Sequence, residues 1–219
     1  MNLTLLQDAA AADEPLSVGE AQQYLRLRPG DDEITLSALI TATRLLAEEA
    51  NGRQCSKKQW RLALDRWPNT QNVFTYPYSS QYTDPVLFQF QVGPSFIELL
   101  DPLISVDAVR YKTSDGTVIT AVEDTDYVVD LDKHPGVICP PYGKTWPSPS
   151  QGLWPSSAVQ IDFTCGFTPE NVPVSIKQGM LLLVSQMYEQ RVPFDDIRSV
   201  AEIPFGVTAL FNVGKIWRF

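Results

Sequence analysis

The chain has 219 residues, of which 44% are hydrophobic and 20% charged, a composition typical of a folded protein and too apolar for a disordered one. Its 26 acidic and 17 basic residues give a formal net charge of -9 at pH 7, which disfavours direct binding to nucleic acid, because a phosphate backbone attracts basic surfaces. The three cysteines, Cys55, Cys139 and Cys165, contain no C-x-x-C pair, which disfavours a disulfide framework and a zinc site.

The N-terminal region predicts two helices joined by a short connector. Ser17 and Glu20 have the spacing of a capping box, which predicts a short helix that ends near Arg26. Asp31-Asp32 is expected to cap a second helix, and Asn51-Gly52 is expected to end it. The apolar face of the second helix is predicted to contain Ile34, Leu36, Leu39, Ile40, Leu45 and Leu46. These two helices would form an αα-hairpin.

From residue 54 to residue 167 the hydrophobic pattern has the period of β-strands. Trp60, Leu62 and Leu64 alternate with polar or small residues, and Asp115-Gly116 predicts a hairpin turn. Strands are predicted within residues 60–64, 88–92, 96–100, 105–112, 117–122, 127–131, 137–139 and 158–164. Short strands separated by turns predict an antiparallel sandwich or barrel-like module, with exposed loops at 69–84 and 140–157.

A helical period returns at residues 174–188, where apolar residues occupy several faces and indicate a centrally packed helix. The predicted fold class is therefore α+β, a helical core with an inserted antiparallel β module and a C-terminal tail. The predicted parts are the helical core at 1–53 and 168–202, the β module at 54–167 and the tail at 203–219.

Neither a secretion signal nor a membrane partner is expected. Residues 1–12 lack a basic region and contain Asp8, which is untypical of a signal peptide. No apolar run reaches the roughly 18 residues that a membrane-spanning helix requires. We therefore expect the protein to be made in the cytoplasm.

No residue pattern predicts catalysis, a cofactor or a metal. The single histidine, His134, lies in a predicted turn without a spacing that ties it to a nucleophile. The acidic residues 123–126 lack the spacing of a calcium loop and are interpreted as a solvated turn. The basic residues Arg53, Lys57, Lys58 and Arg61 are interpreted as a solvated face. A hydrolase with two carboxylates brought together by folding stays open, since such a pair leaves no spacing signal.

Six aromatic residues of the predicted loops suggest a second alternative, a module that binds carbohydrate or a receptor. They are Trp67, Tyr76, Tyr78, Tyr82, Trp146 and Trp154. Some of them are instead expected to cover the β module.

An ordered set of residues over nearly the whole chain resembles the head-to-tail connector, or adaptor, proteins of tailed bacteriophages. The set contains Pro15-Leu16-Ser17, Glu20-Ala21, Tyr24-Leu25-Arg26, Asp31-Asp32, Asn51-Gly52-Arg53, Gln59-Trp60-Arg61-Leu62, residues 104–111, 126–130, 143–147 and 163–167, Val172-Pro173, residues 176–179 and 181–184 and Pro204-Phe205-Gly206-Val207.

The resemblance implies a structural virion protein without enzymatic activity. Such a protein would form a ring, expected to be a dodecamer, between the portal of the phage head and a neck or tail protein. A closed ring requires heterologous contacts between neighbouring copies. The genomic DNA would pass through the channel without specific binding, which agrees with the negative charge. The protein would lie in the neck of the virion and in the host cytoplasm during assembly; another neck or tail-completion subunit is the nearest alternative.

The C-terminal segment departs from the family pattern, because it continues into an aromatic and basic tail. We expect this tail to bind a partner, with the portal as the expected partner, since aromatic and arginine side chains dominate binding hot spots. The expected binding residues are Phe211, Lys215, Ile216, Trp217, Arg218 and Phe219. The alternative is that the tail folds back onto the helical core.

Overall fold

The structure is a computed structural model and describes residues 2–68, 96–149, 152–189 and 205–215. The chain divides into a β unit, Met1–Asp8 with Lys58–Gly166, and a helical unit, Ala9–Lys57 with Phe167–Phe219. The described strands are β1 (Asn2–Gln7), β2 (Lys58–Leu64), β3 (Ile97–Glu98), β4 (Leu103–Lys112), β5 (Val118–Thr120), β6 (Val128–Asp130), β7 (Val137–Cys139) and β8 (Val159–Cys165). The described helices are α1 (Val18–Leu25), α2 (Glu33–Asn51), α3 (Val174–Glu189) and α4 (Phe205–Asn212), with a 3-10 turn at Ala11–Asp13.

The β unit contains a five-stranded and a three-stranded antiparallel sheet. The strand order is β1-β2-β8-β4-β5 in the larger sheet and β3-β7-β6 in the smaller one. Residues of both sheets share one apolar core, in which Leu62, Ile138 and Phe163 are fully buried. Because successive strand residues point to opposite faces, the same alternation places Arg61 and Asp162 on the other face of the larger sheet.

The β4–β5 hairpin forms where Asp115-Gly116 predicts it. The Asp115 carboxylate accepts hydrogen bonds from the Thr117 amide, 3.0 Å away, and from the Thr113 hydroxyl. Gly116 has a φ of 91°, a conformation that costs glycine no steric strain.

In the helical unit, apolar side chains of four helices form a second core. Leu36 and Ile40 of α2 pack with Ile176 and Met180 of α3. The capping box at the start of α1 is present, because the Ser17 hydroxyl accepts from the Glu20 amide and the Glu20 carboxylate accepts from the Ser17 amide. These interactions occupy donors at a helix start that would otherwise lack partners.

The described residues confirm the α+β class, with helices and antiparallel sheets and without a closed barrel. Each predicted strand on described residues overlaps an observed one, whereas the predicted strand at 88–92 lies outside them. Three local expectations differ. Ile34 and Leu45, which were predicted on the apolar face of α2, are 90% and 51% exposed. Residues 2–7, which were predicted to belong to the helical core, form β1 and pair with β2. Asp32 precedes α2 without a side-chain capping bond, and its carboxylate instead accepts from the Tyr188 hydroxyl.

Candidate interaction sites

The C-terminal helix α4 is held in the helical unit by a ring packed against a glycine. Phe211 is fully buried, and a Cβ atom added to Gly179 of α3 would lie 2.6 Å from the Phe211 ring. The Asn51 side-chain amide donates to the Phe211 carbonyl at 2.6 Å. A side chain at position 179 would therefore displace the ring that anchors α4.

This packing corrects part of the predicted tail site. Phe211, one of the expected partner-binding residues, is buried as a core aromatic where α4 covers Gly179. Lys215 is half-buried, and its amide donates to the Asn212 carbonyl at 3.2 Å. Ile216, Trp217, Arg218 and Phe219 lie outside the described residues. Partner binding by the tail stays a prediction.

In the β unit, two arginines share one carboxylate on the outer face of the larger sheet. Arg61 of β2 donates from Nε to Asp162 Oδ1 at 2.6 Å and from Nη2 to Oδ2 at 2.9 Å. Arg110 of β4 donates from Nη1 to Oδ2 at 2.7 Å. The Asp162 side chain is 10% exposed, whereas those of Arg61 and Arg110 are 34% and 36% exposed. We call these three residues the arginine pair site.

The electrostatics of the arginine pair site favour its charged form. The hydrogen bond from Arg61 is the main cause that lowers the pKa of Asp162; burial acts in the opposite direction, and Arg110 adds to the lowering. The same bond raises the pKa of Arg61. The site therefore holds two positive charges against one negative charge, and both arginine side chains are about one third exposed.

The sequence places Arg61 in a set of basic residues, but it carries no signal for Asp162 or Arg110 beside it. Asp162 lies opposite Arg61 in the β2–β8 register, although the two residues are far apart in the sequence. Of the other basic residues, Lys58 is buried with its Nζ 3.9 Å from Asp8, and Arg53 lies 4.8 Å from the centre of the Phe167 ring. The period-two pattern predicts the face of Arg61, but only strand pairing identifies Asp162.

The loop aromatics do not form a common surface among the described residues. Trp67 and Trp146 stack with ring centres 4.6 Å apart and are buried in the β core. Trp154 lies under the Lys112 ammonium at 3.9 Å, while Tyr142 is fully exposed. The loop at 69–84, with its three tyrosines, lies outside the described residues, as do residues 150–151 of the second loop.

His134 Nδ1 lies 2.9 Å from Oδ1 of the buried Asp101. The acidic residues 123–126 form a turn in which Asp126 accepts from the Val122 amide at 2.8 Å. Within the described ranges no group of three His, Cys, Asp or Glu residues is placed to hold a metal ion. The helices in those ranges are also too short or too polar to span a membrane.

Known proteins resemble this chain at the level of the fold. No protein-family model matches the chain, and no curated protein matches it. A chain in the virion of a native gene transfer agent (GTA) particle is 22% identical with a TM-score of 0.69. Chains in the neck of an empty GTA particle, computed with C6 symmetry, and in the neck of a native GTA particle, computed with C12 symmetry, are also 22% identical, with TM-scores of 0.68 and 0.66. Each match covers 100% of this chain and 97% of the other. The chain therefore shares its complete fold with a chain of these particles.

Proposed function

We propose that the protein is a structural subunit of a virion neck, where copies form a ring between the portal and the tail around a DNA channel. The observation that carries the proposal is the full-length match to chains in GTA neck and virion structures. A match over both complete chains compares whole subunits, so it supports a shared role more strongly than a match to one common domain.

Two further observations support assembly into a ring. The related neck structures were computed with sixfold and twelvefold symmetry, which agrees with the dodecamer that the sequence resemblance implies. The same resemblance covers segments of both the β unit and the helical unit.

Exposed apolar side chains at three helix starts supply candidate contact positions. Ile34 near the start of α2 is 90% exposed, and Val174 and Phe205, the first residues of α3 and α4, are 80% and 88% exposed. Burial of such side chains against a neighbour would contribute about 1.5–3 kcal/mol each. A closed ring would use heterologous contacts, in which different faces of adjacent copies meet.

The net charge of -9 supports a channel that releases DNA. A negatively charged ring repels the phosphate backbone and lets the genome move without being held. The C-terminal tail would bind the portal. Because Phe211 anchors α4, the tail would leave the subunit from a fixed point at Lys215.

Cryo-electron microscopy of complete particles tests the proposal. We expect density for this chain in a closed ring directly below the portal, with a central channel wide enough for duplex DNA. A position at the distal end of the tail would instead support the receptor-binding alternative. A single copy, or a twofold dimer in the neck, would contradict the ring.

A further inference from the structure

The arginine pair site has one more positive charge than negative charge, and among the described residues its only acidic partner is Asp162. Asp162 already accepts from two guanidinium nitrogens of Arg61, Nε at 2.6 Å and Nη2 at 2.9 Å. Bidentate pairing of this kind satisfies a carboxylate with one arginine. Arg110 is therefore not needed to neutralise Asp162, and it brings a second charge to a site that already has one ion pair.

The geometry of the site suits recognition of another carboxylate. A guanidinium has five N–H donors, and Arg110 reaches Asp162 through Nη1. Its side chain is 36% exposed, and among the described residues no other acceptor is bonded to it. The strand pairing fixes Arg110 beside Gln160 and Thr120, which holds the charge on a rigid sheet.

The β unit also presents a surface of opposite charge. Glu123 and Asp124 are exposed in the turn after β5; we call Glu123, Asp124 and Asp126 the acidic turn. Asp126 is bonded to the Val122 amide, and the Lys144 ammonium binds the Thr125 carbonyl. Across the described parts of the chain, no ion pair joins Glu123 or Asp124 to a basic residue. By contrast, the carboxylates of Asp31 and Asp32 in the connector before α2 accept hydrogen bonds from the Arg28 backbone amide and from the Tyr188 hydroxyl.

We propose that the arginine pair site of one copy binds the acidic turn of a second copy. This inference rests on the proposed ring, in which two different faces of adjacent copies must meet. Complementary charges orient such contacts and exclude incorrect ones. A second copy is favoured over DNA because one surplus charge in a chain of net charge -9 is weak attraction for a phosphate backbone.

The substitution Arg110→Gln tests the proposal without disrupting the Arg61–Asp162 pair. Self-association of purified full-length protein, measured by analytical ultracentrifugation over a concentration series, should weaken at least about tenfold, since charged hydrogen bonds are lost. The matched control Arg28→Gln removes an exposed arginine of the helical unit and should associate like the wild type. Thermal unfolding at low protein concentration should be unchanged in both variants.

Charge reversal identifies the partner surface. Arg110→Glu should abolish association, and the same chain with Glu123→Lys and Asp124→Lys should regain it, because the two surfaces exchange sign. The inferred pairing would be overturned if Arg110→Glu loses association and the triple variant does not regain it.

Two outcomes separate this inference from the proposed function. Wild-type association in Arg110→Glu, together with rings in particles, would overturn the inference and leave the ring intact. Absence of rings from particles that contain the protein would contradict the proposed function and the inference together. Binding of a fluorescent DNA duplex that is lost in Arg110→Gln, with association unchanged, would assign the site to nucleic acid and overturn the inference.

Discussion

The two units each contain an ionic cluster of three side chains, and the two clusters differ in their exposure to solvent and in their ratio of acids to bases. In the helical unit Arg44 is 1% exposed; its Nε lies 3.0 Å from Glu14 and its Nη1 lies 3.4 Å from Glu48. In the β unit one carboxylate, Asp162, holds two arginines that are each about one third exposed. In the first cluster one buried arginine contacts two acids, whereas in the second one acid contacts two arginines that are partly exposed to solvent.

This difference separates a structural cluster from an interaction site. The cluster at Arg44 ties Glu14, which precedes α1, to α2, and Glu48 also accepts from the Cys55 amide at 3.0 Å. Every member thus holds another chain segment in place. The arginine pair site joins neighbouring strands that are already paired by their backbones, so its surplus charge is available to a partner.

The substitution Arg44→Met should have the largest effect, because it removes the buried guanidinium that pairs with the partly buried Glu14 and with the buried Glu48. Loss of one partner from a buried ionic cluster costs about 3–5 kcal/mol. Equilibrium unfolding in urea measures the loss. The control Arg28→Met changes an exposed arginine and should stay within about 0.5 kcal/mol of the wild type. A loss below about 1 kcal/mol in Arg44→Met would show that the cluster is more open than its exposure indicates.

The second prediction concerns the packing of α4 against α3 in the helical unit. Gly179→Ala places a Cβ atom 2.6 Å from the Phe211 ring, and overpacking of this kind costs about 1–3 kcal/mol. Gly19→Ala in α1 is a matched control, because nothing lies within 4 Å of its added Cβ. That control should stabilise the protein by about 0.5–1 kcal/mol through helix propensity. Equal effects of the two substitutions in urea unfolding would contradict close packing at Gly179.

In the β unit, protonation of Asp162 at low pH should lower the stability by less than the two preceding substitutions do. The pKa of Asp162 is lowered in the folded protein, mainly by Arg61, so its ionised form stabilises the fold above the unfolded-state pKa, about 3.9. This contribution is lost as the pH falls below about 4 and through the lowered pKa. In urea unfolding over a pH series, Asp162→Asn should therefore lose less stability on acidification than the wild type. The exposed control Asp132→Asn should follow the wild-type curve, and a wild-type slope in Asp162→Asn would contradict the prediction.

Deletion of Gly214 to Phe219 should have the smallest effect on stability, less than about 0.5 kcal/mol, because Phe211 and Val207 remain buried. The same deletion should abolish incorporation into portal-bearing heads if the tail binds the portal. Thermal unfolding and particle incorporation measure the two properties separately. A strong loss of stability would instead show that the tail folds back onto the helical core. The burial of Phe211 already supports this alternative for α4.

Local sequence features determined much of the secondary structure. The capping box of Ser17 and Glu20, the Asp115-Gly116 turn and the alternation around Trp60 each act over a few residues, and each corresponds to an observed element. The apolar residues of α3 likewise indicated a packed helix, and Ile176, Met180 and Val184 are buried. Such features depend on backbone geometry and hydrophobic period, so they can be read without knowing what lies nearby.

The tertiary structure decided which distant residues share a site. Strand register alone brings Asp162 to Arg61 and Arg110, and the approach of α4 to Gly179 converts Phe211 from an expected binding residue into a core residue. Strand β1 also depends on pairing with β2, because most of its residues remain exposed and no strong alternating pattern marks it. These outcomes depend on contacts between segments far apart in the chain, where a single sequence carries no spacing signal, and only the folded chain specifies the pairing.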